Sequence, residues 1–187
     1  MFSKVNLTRT TLILVVGVAG VGKTTISTEI LKRIFAVYLD NNFIVDPFFP
    51  NTRNSKDYLN KRPFFYKSLY KITEENLRLK NSVLLDVPHI KQMLDLTWKQ
   101  YILNLISQTE CRLSIIYCKA SEKEIYNRLK NRAAKRDLWK IKNWTDHIKR
   151  EPLNIKIPFK HITIDTELSL DENTIKCINY LTRESDT

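Results

Sequence analysis

Thr11-Leu-Ile-Leu-Val-Val-Gly-Val-Ala-Gly-Val-Gly-Lys-Thr-Thr25 is the stretch that decides the fold. It contains Gly17, Gly20 and Gly22, which are all the glycines of the 187-residue chain. Residues 17–24 fit the phosphate-binding pattern G-x-x-x-x-G-K followed by Ser or Thr. Glycine permits positive φ and lets the backbone approach a ligand closely. We therefore expect this loop to wrap around phosphate groups.

The sequence on either side of the loop indicates the structural context that such a motif needs. Thr11–Val16 is apolar and rich in β-branched residues, which is typical of a buried parallel strand. After the loop, residues 24–35 predict a helix that carries Ile26, Ile30 and Ile34 on one face. A strand, a glycine-rich loop and a helix in this order support a nucleotide-binding motif.

Strands and helices are predicted to alternate along the rest of the chain. Further strands are expected at residues 36–39, 82–85, 113–117 and 161–165, and further helices at 63–79, 97–109, 122–133 and 171–181. Residues 41–62 contain many Asn and Pro and are predicted to be irregular. The alternation favours an α/β, doubly wound fold with a five-stranded parallel sheet and helices on both faces. At this length we expect residues 1–187 to form one domain.

The chain is strongly basic, with a formal net charge of +11 at pH 7. This excess favours an anionic partner, such as nucleotide phosphates, nucleic acid or an acidic membrane surface. The alternative is a solvated basic surface in a chain rich in Lys, Asn and Ile. Composition alone leaves both interpretations open, and neither changes the prediction for the glycine loop.

Cysteine usage and apolar patterning favour an intracellular location. Cys111, Cys118 and Cys177 are widely spaced, which fits neither a zinc site nor a disulfide framework and favours a reducing compartment. The N-terminal residues show no secretory signal pattern, and the apolar run at residues 12–16 is far shorter than a membrane span. We therefore expect a cytoplasmic protein with no membrane partner.

The loop carries side chains suited to nucleotide and metal binding. Lys23 is expected to reach the β- and γ-phosphates of a nucleotide, and Thr24 to ligate Mg²⁺. Asp86 closes the strand at 82–85 and is the second expected Mg²⁺ ligand, the alternative being a turn residue helped by Pro88. The predicted nucleotide-binding residues are Gly17, Val18, Ala19, Gly20, Val21, Gly22, Lys23, Thr24 and Thr25.

Asp40 follows the second predicted strand, so it is expected at the same end of the sheet as the loop. A carboxylate there can position an attacking hydroxyl or accept its proton. The alternative is a turn in which Asp40 bonds to the backbone near Asn41 and Asn42. His89, which follows Asp86 closely, is the histidine nearest to the predicted site.

Three arginines are candidates for stabilising transferred phosphoryl charge. Ser121 and Glu124 predict a capping box that starts a helix, and Arg128 and Arg132 share a face of this helix because they are four residues apart. Arg136 follows in a basic segment. A well-placed arginine can contribute roughly 10³–10⁵ to the rate of phosphoryl transfer. The alternative is a solvated basic face.

Several stretches together carry a family resemblance. They are residues 17–25, Asp40, the strand end Ser82-Val-Leu-Leu-Asp-Val-Pro88 and the segment Asn127-Arg-Leu-Lys-Asn-Arg-Ala-Ala-Lys-Arg-Asp137. They resemble the AAA-type, zeta-toxin-like P-loop kinases, a group that includes gluconate, shikimate and polynucleotide kinases. The resemblance covers roughly residues 10–165 and implies a P-loop NTPase fold.

The resemblance also implies which segments of the chain bind the nucleotide and which bind the acceptor. It implies that residues 17–25 bind ATP with Mg²⁺ and that a lid at about 128–142 brings Arg128, Arg132 and Arg136 over the phosphates. It implies an acceptor site formed by Asp40, an insert at about 41–80 and the turn at 86–89. Relatives often carry Asp-x-Asp after the second strand, whereas this chain has Asp40-Asn41-Asn42. If the second position normally acts as the base, activity is altered here, because Asn42 cannot accept a proton.

The predicted function is that of a kinase that transfers the γ-phosphoryl group of ATP to a hydroxyl of a small molecule, with Lys23, Asp40 and the three arginines as catalytic residues. A 5′-hydroxyl polynucleotide kinase is one alternative, since the net charge and the basic segment at 128–142 suit nucleic acid. A nucleotide-binding regulator without transfer activity is another, since Asn42 replaces a carboxylate. A GTPase switch is disfavoured because the guanine-recognition sequence N-K-x-D is absent.

Overall fold

The computed structural model describes residues 3–51 and 53–183, in which strands and helices alternate. The strands are β1 Thr11–Val16, β2 Val37–Asp40, β3 Val83–Asp86, β4 Arg112–Lys119 and β5 His161–Asp165. The helices are α1 Lys23–Leu31, α2 Asn41–Val45, α3 Lys56–Arg78, α4 Ile90–Met93, α5 Leu96–Thr109, α6 Glu122–Arg132, α7 Leu138–Lys142, α8 Trp144–Arg150 and α9 Leu170–Thr182, and a 3-10 turn covers Lys135–Asp137.

The five strands form one parallel sheet in the order β2-β3-β1-β4-β5. This confirms the predicted five-stranded parallel sheet. In the register, Asp40 lies beside Asp86, and Asp86 lies beside Val15. The carboxyl ends of β2, β3 and β1 therefore meet at one end of the sheet. The glycine loop, which follows β1, begins at the same end.

Helices cover both faces of this sheet. β1 is buried at all six positions and β3 at all four, without the alternation of a sheet that has one face in water. Among the helices, α1 packs against α9, and α3 packs against α5. The central strands therefore form a rigid base beneath the loop.

The prediction of an irregular segment at residues 41–62 is right for the described residues between α2 and α3, 46–51 and 53–55, and wrong at both ends, which are helical. The Oδ1 of Asp40 accepts a hydrogen bond from Asn42 N and starts α2, and the Oγ of Ser55 accepts one from Tyr58 N and starts α3. Asp and Ser are strong helix caps, and this signal outweighed the turn-forming composition. Pro63 lies inside α3 instead of at its start. A single proline removes only one hydrogen bond from this helix of 23 residues.

The basic segment after α6 is also helical, as the 3-10 turn and the helices α7 and α8 show. Trp144 anchors it to α6, where its ring contacts Tyr126 edge-on with centroids 5.2 Å apart. Its indole N–H donates to Glu122 Oε1 at 2.7 Å. The segment therefore lies against the body of the protein.

The predicted capping box at the start of α6 forms only in part. The Oγ of Ser121 accepts from Glu124 N at 3.3 Å, as expected. The N–H of Ser121, however, donates to Glu167 Oε1 at 2.5 Å. The reason is that the Glu124 carboxylate is bound by Arg128 Nε at 2.7 Å. The competing salt bridge orients Arg128 along α6.

Four described residues outside the glycine loop have positive φ. Three of them, Lys80, Glu110 and Ala133, lie at or just beyond the C-terminal ends of α3, α5 and α6, with φ of 62°, 56° and 50°. A left-handed residue commonly ends a helix, and it is usually glycine. This chain ends these helices in the same conformation without glycine.

Two further observations concern the apolar helices and the cysteines. Among the described residues, no helix combines the length and the apolar composition that crossing a membrane requires. Cys111, Cys118 and Cys177 are all buried and unpaired.

Candidate functional site

The turn after β1 is shaped by its glycines. Gly17, Gly20 and Gly22 have φ of 147°, 85° and 99°. A Cβ on Gly20 would lie 2.8 Å from Leu129 Cγ and 3.1 Å from the carbonyl oxygen of Ile125, both on α6. The loop therefore packs so closely against α6 that larger residues would displace it. A turn of this kind aims backbone N–H groups and the start of α1 at an anion.

Lys23 begins α1, and its side chain folds back toward the loop. Its Nζ donates to the carbonyl oxygen of Val18 at 2.9 Å, and the side chain is buried. Burial lowers the pKa of Lys23, while the carboxylate of Asp86 opposes this shift. A phosphate oxygen is a stronger partner for an ammonium group than a neutral carbonyl is, so Lys23 is suited to exchange one for the other.

Asp86 is the acidic centre of the site. Its Oδ2 accepts hydrogen bonds from the hydroxyls of Thr24 at 2.7 Å and Tyr38 at 3.1 Å. Burial raises the pKa of Asp86, and the Lys23 ammonium works against this. Burial and the carboxylates of Asp86 and Asp40 raise the pKa of Tyr38, so its phenol stays protonated and donates. Tyr38 was not among the predicted site residues, although its place two residues before Asp40 on β2 was a usable signal.

The oxygens of Thr24 and Asp86 fit a magnesium ion. Mg²⁺ prefers hard oxygen ligands, and in nucleotide sites one or two protein groups hold it together with phosphate oxygens. The two side chains share a hydrogen bond, so their oxygens lie close enough to serve one ion, directly or through water. The structure thus brings together the two residues that the sequence predicted for this role.

Asp40 closes β2 and caps α2. Its Oδ1 accepts from Asn42 N at 2.8 Å, which is the turn that the sequence analysis gave as the alternative to a catalytic role. The carboxylate is also almost fully buried and lies on the wall of the main cavity. The side chain of Asn42 accepts a long bond of 3.5 Å from Arg53 Nη2. The cap engages only one oxygen of Asp40, so the two interpretations are compatible.

One cavity of about 380 Å³ joins these groups. One part of its lining, here called the loop wall, consists of Gly20, Gly22, Lys23, Thr24 and Asp86. Another part, here called the arginine wall, consists of Arg53, Arg62, Arg136, Lys140 and Arg150. The residues of the loop wall come from the motif and β3, whereas those of the arginine wall come from the segments at 41–80 and 128–150.

Arg128 links α6 to the loop. Its two terminal nitrogens donate to Oγ1 and to the carbonyl oxygen of Thr166, each at 2.9 Å. The hydroxyl of Thr166 in turn donates to the carbonyl of Val21 in the loop at 2.6 Å. Arg128 lines the main cavity at the loop, where the sequence analysis placed it. Its present partners fix the direction of its side chain.

Arg132 also lines the main cavity, and it is tied to its own segment. It forms an ion pair with Asp137, a carboxylate that is fully buried, and Lys140 Nζ donates to the same carboxylate at 2.6 Å. Burial works to raise the pKa of Asp137, but the charges of Lys140 and Arg132 outweigh it and hold that pKa below its ordinary value. Asp137 therefore organises the segment that carries Arg132.

Arg136 and Arg53 meet at one carboxylate. Arg136 Nη1 donates to Asp46 Oδ2 at 2.6 Å, and Arg53 Nη2 binds Asp46 Oδ1. The ion pair between Arg136 and Asp46 connects the segment at 128–142 with the segment at 41–80. Arg136 was among the predicted site residues, whereas Asp46 and Arg53 were not, because residues 41–62 were predicted to be irregular.

The other two arginines of the arginine wall lie against aromatic rings. The guanidinium carbon of Arg62 is 5.3 Å from the ring centre of Tyr66, and that of Arg150 is 4.8 Å from the ring centre of Trp139. Arg62 and Tyr66 are four residues apart on α3. This spacing would have revealed the pair if the helix had been predicted to begin after Ser55.

His89 is buried and does not line the main cavity. Its Nδ1 lies 2.8 Å from the carbonyl oxygen of Val87, which can only accept, so Nδ1 carries the proton. Its Nε2 is buried and has no partner among the described residues. Burial lowers the pKa of His89 to about 4. The ring packs near Tyr70 and Trp98, so the residue is part of the interior.

A second cavity of about 280 Å³ adjoins the loop. Gly22, Thr25 and Arg128 line both cavities. The rest of its lining is mainly apolar and consists of Ile26, Ile164, Thr166, Leu168, Leu170 and Asn173. A mainly apolar cavity next to an anion-binding loop suits a ligand that has a flat ring at one end and negative charge at the other.

Comparisons with known proteins agree with this geometry. The family model described as AAA domain matches residues 12–148. No curated protein sequence matches the chain significantly.

Solved structures extend the likeness over almost the whole chain. The chain is similar to a sugar kinase from Janibacter sp. HTCC2649, with a TM-score of 0.65, 14% identity and coverage of 92% of this chain and 94% of that one. It is similar to the APS kinase of Mycobacterium tuberculosis in complex with AMPPNP and APS, with a TM-score of 0.58, 13% identity and coverage of 94% and 99%. For a shikimate kinase from Acinetobacter baumannii in complex with shikimate, the values are 0.54, 17%, 92% and 92%. At these identities the likeness establishes the fold.

Proposed function

The chain belongs to the AAA domain family, and we propose that it is a phosphotransferase that moves the γ-phosphoryl group of ATP to a hydroxyl group of a small molecule. The observation that carries this proposal is a single cavity lined by both the loop wall and the arginine wall. A nucleotide-binding switch needs only the first of these. A second cationic wall beside Asp40 supports a second substrate in the same cavity.

The donor nucleotide would be bound by the loop and by the second cavity. The N–H groups of residues 17–25 would hold the phosphates, and Lys23 would move from the carbonyl of Val18 to a phosphate oxygen. The second cavity would take the adenine, with Ile164 and Leu168 against the ring. Arg128, which lines both cavities, would lie between base and phosphates.

The residues around Asp86 would organise the metal side of the reaction. Thr24 and Asp86 would hold Mg²⁺, which neutralises charge on the β- and γ-phosphates when bound. Tyr38 positions Asp86 by donating to Oδ2, because a raised pKa keeps its proton in place. The N–H of Gly17 donates to Pro88 O at 3.1 Å, which ties the turn after β3 to the loop.

The transfer itself forms one P–O bond and breaks another. The acceptor hydroxyl oxygen bonds to the γ-phosphorus, and the bond between that phosphorus and the β,γ-bridging oxygen breaks, with its electron pair left on ADP. The hydroxyl proton passes to the carboxylate of Asp40, which lines the cavity. Lys23, Arg132 and Arg136 would stabilise the charge that develops on the phosphoryl oxygens.

The test begins with MgATP binding by calorimetry and continues with phosphoryl transfer to a panel of hydroxyl compounds. We expect Lys23→Ala to lower kcat by about 10²–10³, since it removes a cation from the transferred group. The matched control Lys32→Ala removes an exposed lysine just after α1 and should leave kcat unchanged. Equal rates for wild type and Lys23→Ala, or MgATP binding without a phosphorylated product, would contradict the proposal.

A further inference from the structure

The arginine wall holds more positive charge than a triphosphate needs, and from it we infer the chemical class of the second substrate. It is a small hydroxyl compound with an anionic group of its own, a carboxylate or a phosphate, which Arg53 and Arg62 bind. The inference rests on the proposed transfer reaction for the role of the hydroxyl. The anion subsite rests on the contacts of the wall itself.

Arg62 is the first indication. It lines the main cavity, is half-buried and takes no part in the ion pairs of the described residues. Its side-chain partner there is the hydroxyl of Tyr66, 3.4 Å from Nη2. Glu151 favours the charged form of Arg62 through its own charge but makes no ion pair with it among the described residues. A guanidinium group that is partly removed from water and makes no direct ion pair is stabilised further when an anion binds to it.

Arg53 is the second indication. Its side chain is only 11% exposed, and Nη2 is engaged by Asp46. Its Nε is buried and has no hydrogen-bond partner among the described residues. A buried N–H without an acceptor is unfavourable, so a shift of the side chain that lets a ligand oxygen accept from Nε would be favourable. Asp46 holds the guanidinium in place and leaves this donor unused.

The acids of the cavity wall do not balance these arginines. They are Asp40, Asp86 and Glu151. Asp86 is engaged by two hydroxyls and Asp40 by the cap of α2, which leaves Glu151 as the remaining carboxylate. A bound triphosphate would occupy the loop wall together with Arg128 and Arg132. The single carboxylate of Asp46 pairs with both Arg53 and Arg136, so it balances only one of these two charges. That excess charge and the charge of Arg62 would remain available to a second anion.

Aromatic rings define the shape of this subsite. The guanidinium of Arg53 lies 5.4 Å from the ring centre of Tyr58, and that of Arg62 lies 5.3 Å from the ring centre of Tyr66. Stacking of this kind fixes the planar fork of arginine, which then binds carboxylate or phosphate through two parallel bonds. A cavity of about 380 Å³ is of the size that holds small molecules, which favours a small anion over a nucleic-acid strand.

The test uses the protein saturated with Mg²⁺ and AMPPNP, and calorimetry measures this first binding step separately. Inorganic phosphate is then titrated into the complex, where the nucleotide already fills the loop wall. We expect phosphate to bind wild type and to bind Arg62→Gln at least about tenfold more weakly, since a charge-assisted hydrogen bond is lost. Arg62→Lys keeps the charge without the planar fork and should be intermediate. The control Lys67→Gln removes an exposed charge from the same helix and should bind phosphate like wild type.

Each outcome decides a separate point. Failure of AMPPNP to bind would contradict the proposed function and, with it, the inference. Phosphate binding that is absent, or equal in wild type and Arg62→Gln, would overturn the inference while nucleotide binding stands. Transfer to glycerate above glycerol assigns a carboxylate, and transfer to glycerol 3-phosphate above glycerol assigns a phosphate. Preference for glycerol, or for a 5′-hydroxyl oligonucleotide over all three, would overturn the inference.

Discussion

The two walls of the main cavity are built in different ways. The loop wall comes from one continuous motif plus Asp86, which the sheet register places beside it. The arginine wall is assembled from distant parts of the chain, and Asp46 joins Arg53 to a residue 83 positions further on, Arg136. The residues of a wall that is formed by local backbone geometry can be predicted from the sequence. A wall made by long-range ion pairs becomes visible only in the folded chain.

Replacing Asp86 by Asn tests the loop wall and has the largest expected effect. The amide keeps the shape but loses the charge that Mg²⁺ and Lys23 require, so kcat should fall by about 10²–10³. Steady-state kinetics at saturating MgATP measures this. Tyr38→Phe removes one bond to the same carboxylate and should cost less than Asp86→Asn.

Asp57→Asn is the matched control, because this carboxylate is exposed at the start of α3. Its kcat should equal that of wild type. A wild-type rate in Asp86→Asn would show that the loop wall works without its acidic centre and would remove the basis for the comparison.

His89 lies between the elements that carry the two walls, and its burial makes their stability depend on pH. It follows Pro88, which accepts from Gly17 of the loop, and its ring packs near Tyr70 of α3, the helix that carries Arg62. Its folded pKa of about 4 lies below the ordinary 6.5. Stability from this residue is therefore complete above pH 6.5 and is lost as pH falls toward 4, by about 3 kcal/mol in total.

The measurement is urea unfolding between pH 7 and pH 4.5. His89→Asn removes the titrating ring, and Asn tolerates the left-handed backbone at this position, so the variant should lose less stability on acidification than wild type. His161 makes the same local bond, Nδ1 to Phe159 O at 2.8 Å, but is not fully buried, which makes His161→Asn the matched control. An unchanged pH dependence in His89→Asn would refute the assigned burial effect.

Asp46→Asn tests the arginine wall and has the smallest expected effect. The amide binds Arg53 and Arg136 less strongly, so the acceptor KM should rise by about tenfold, while the KM for ATP stays constant. Initial rates at varied concentrations of each substrate separate the two constants. Asp57→Asn serves again as the control. A rise in the KM for ATP alone would assign Asp46 to the loop wall instead.

Local sequence signals predicted the sheet and the loop correctly, and they failed where distant residues compete. Thr11–Val16 and the three glycines determine their own structure, because a fully apolar strand must be buried and the tight turn requires positive φ. The helix cap at Ser55 was present in the sequence, but the prediction gave more weight to the Asn and Pro residues around it, and the cap prevails in the structure. The exchange of Glu124 for Glu167 at the start of α6 depends on two contacts. Arg128 binds Glu124 four residues earlier on the same helix, which is a local pair. Ser121 binds Glu167, 46 residues further on, which no local pattern contains.

The left-handed helix ends at Lys80, Glu110 and Ala133 have a practical consequence for engineering. A non-glycine residue in this conformation is strained by about 1 kcal/mol or more, and glycine relieves this strain. None of the three lies on the wall of the main cavity. Lys80 and Glu110 precede β3 and β4, at the end of the sheet opposite the glycine loop, whereas Ala133 directly follows Arg132. A more thermally stable variant for crystallisation or storage would therefore begin with glycine at Lys80 and Glu110, remote from the proposed chemistry.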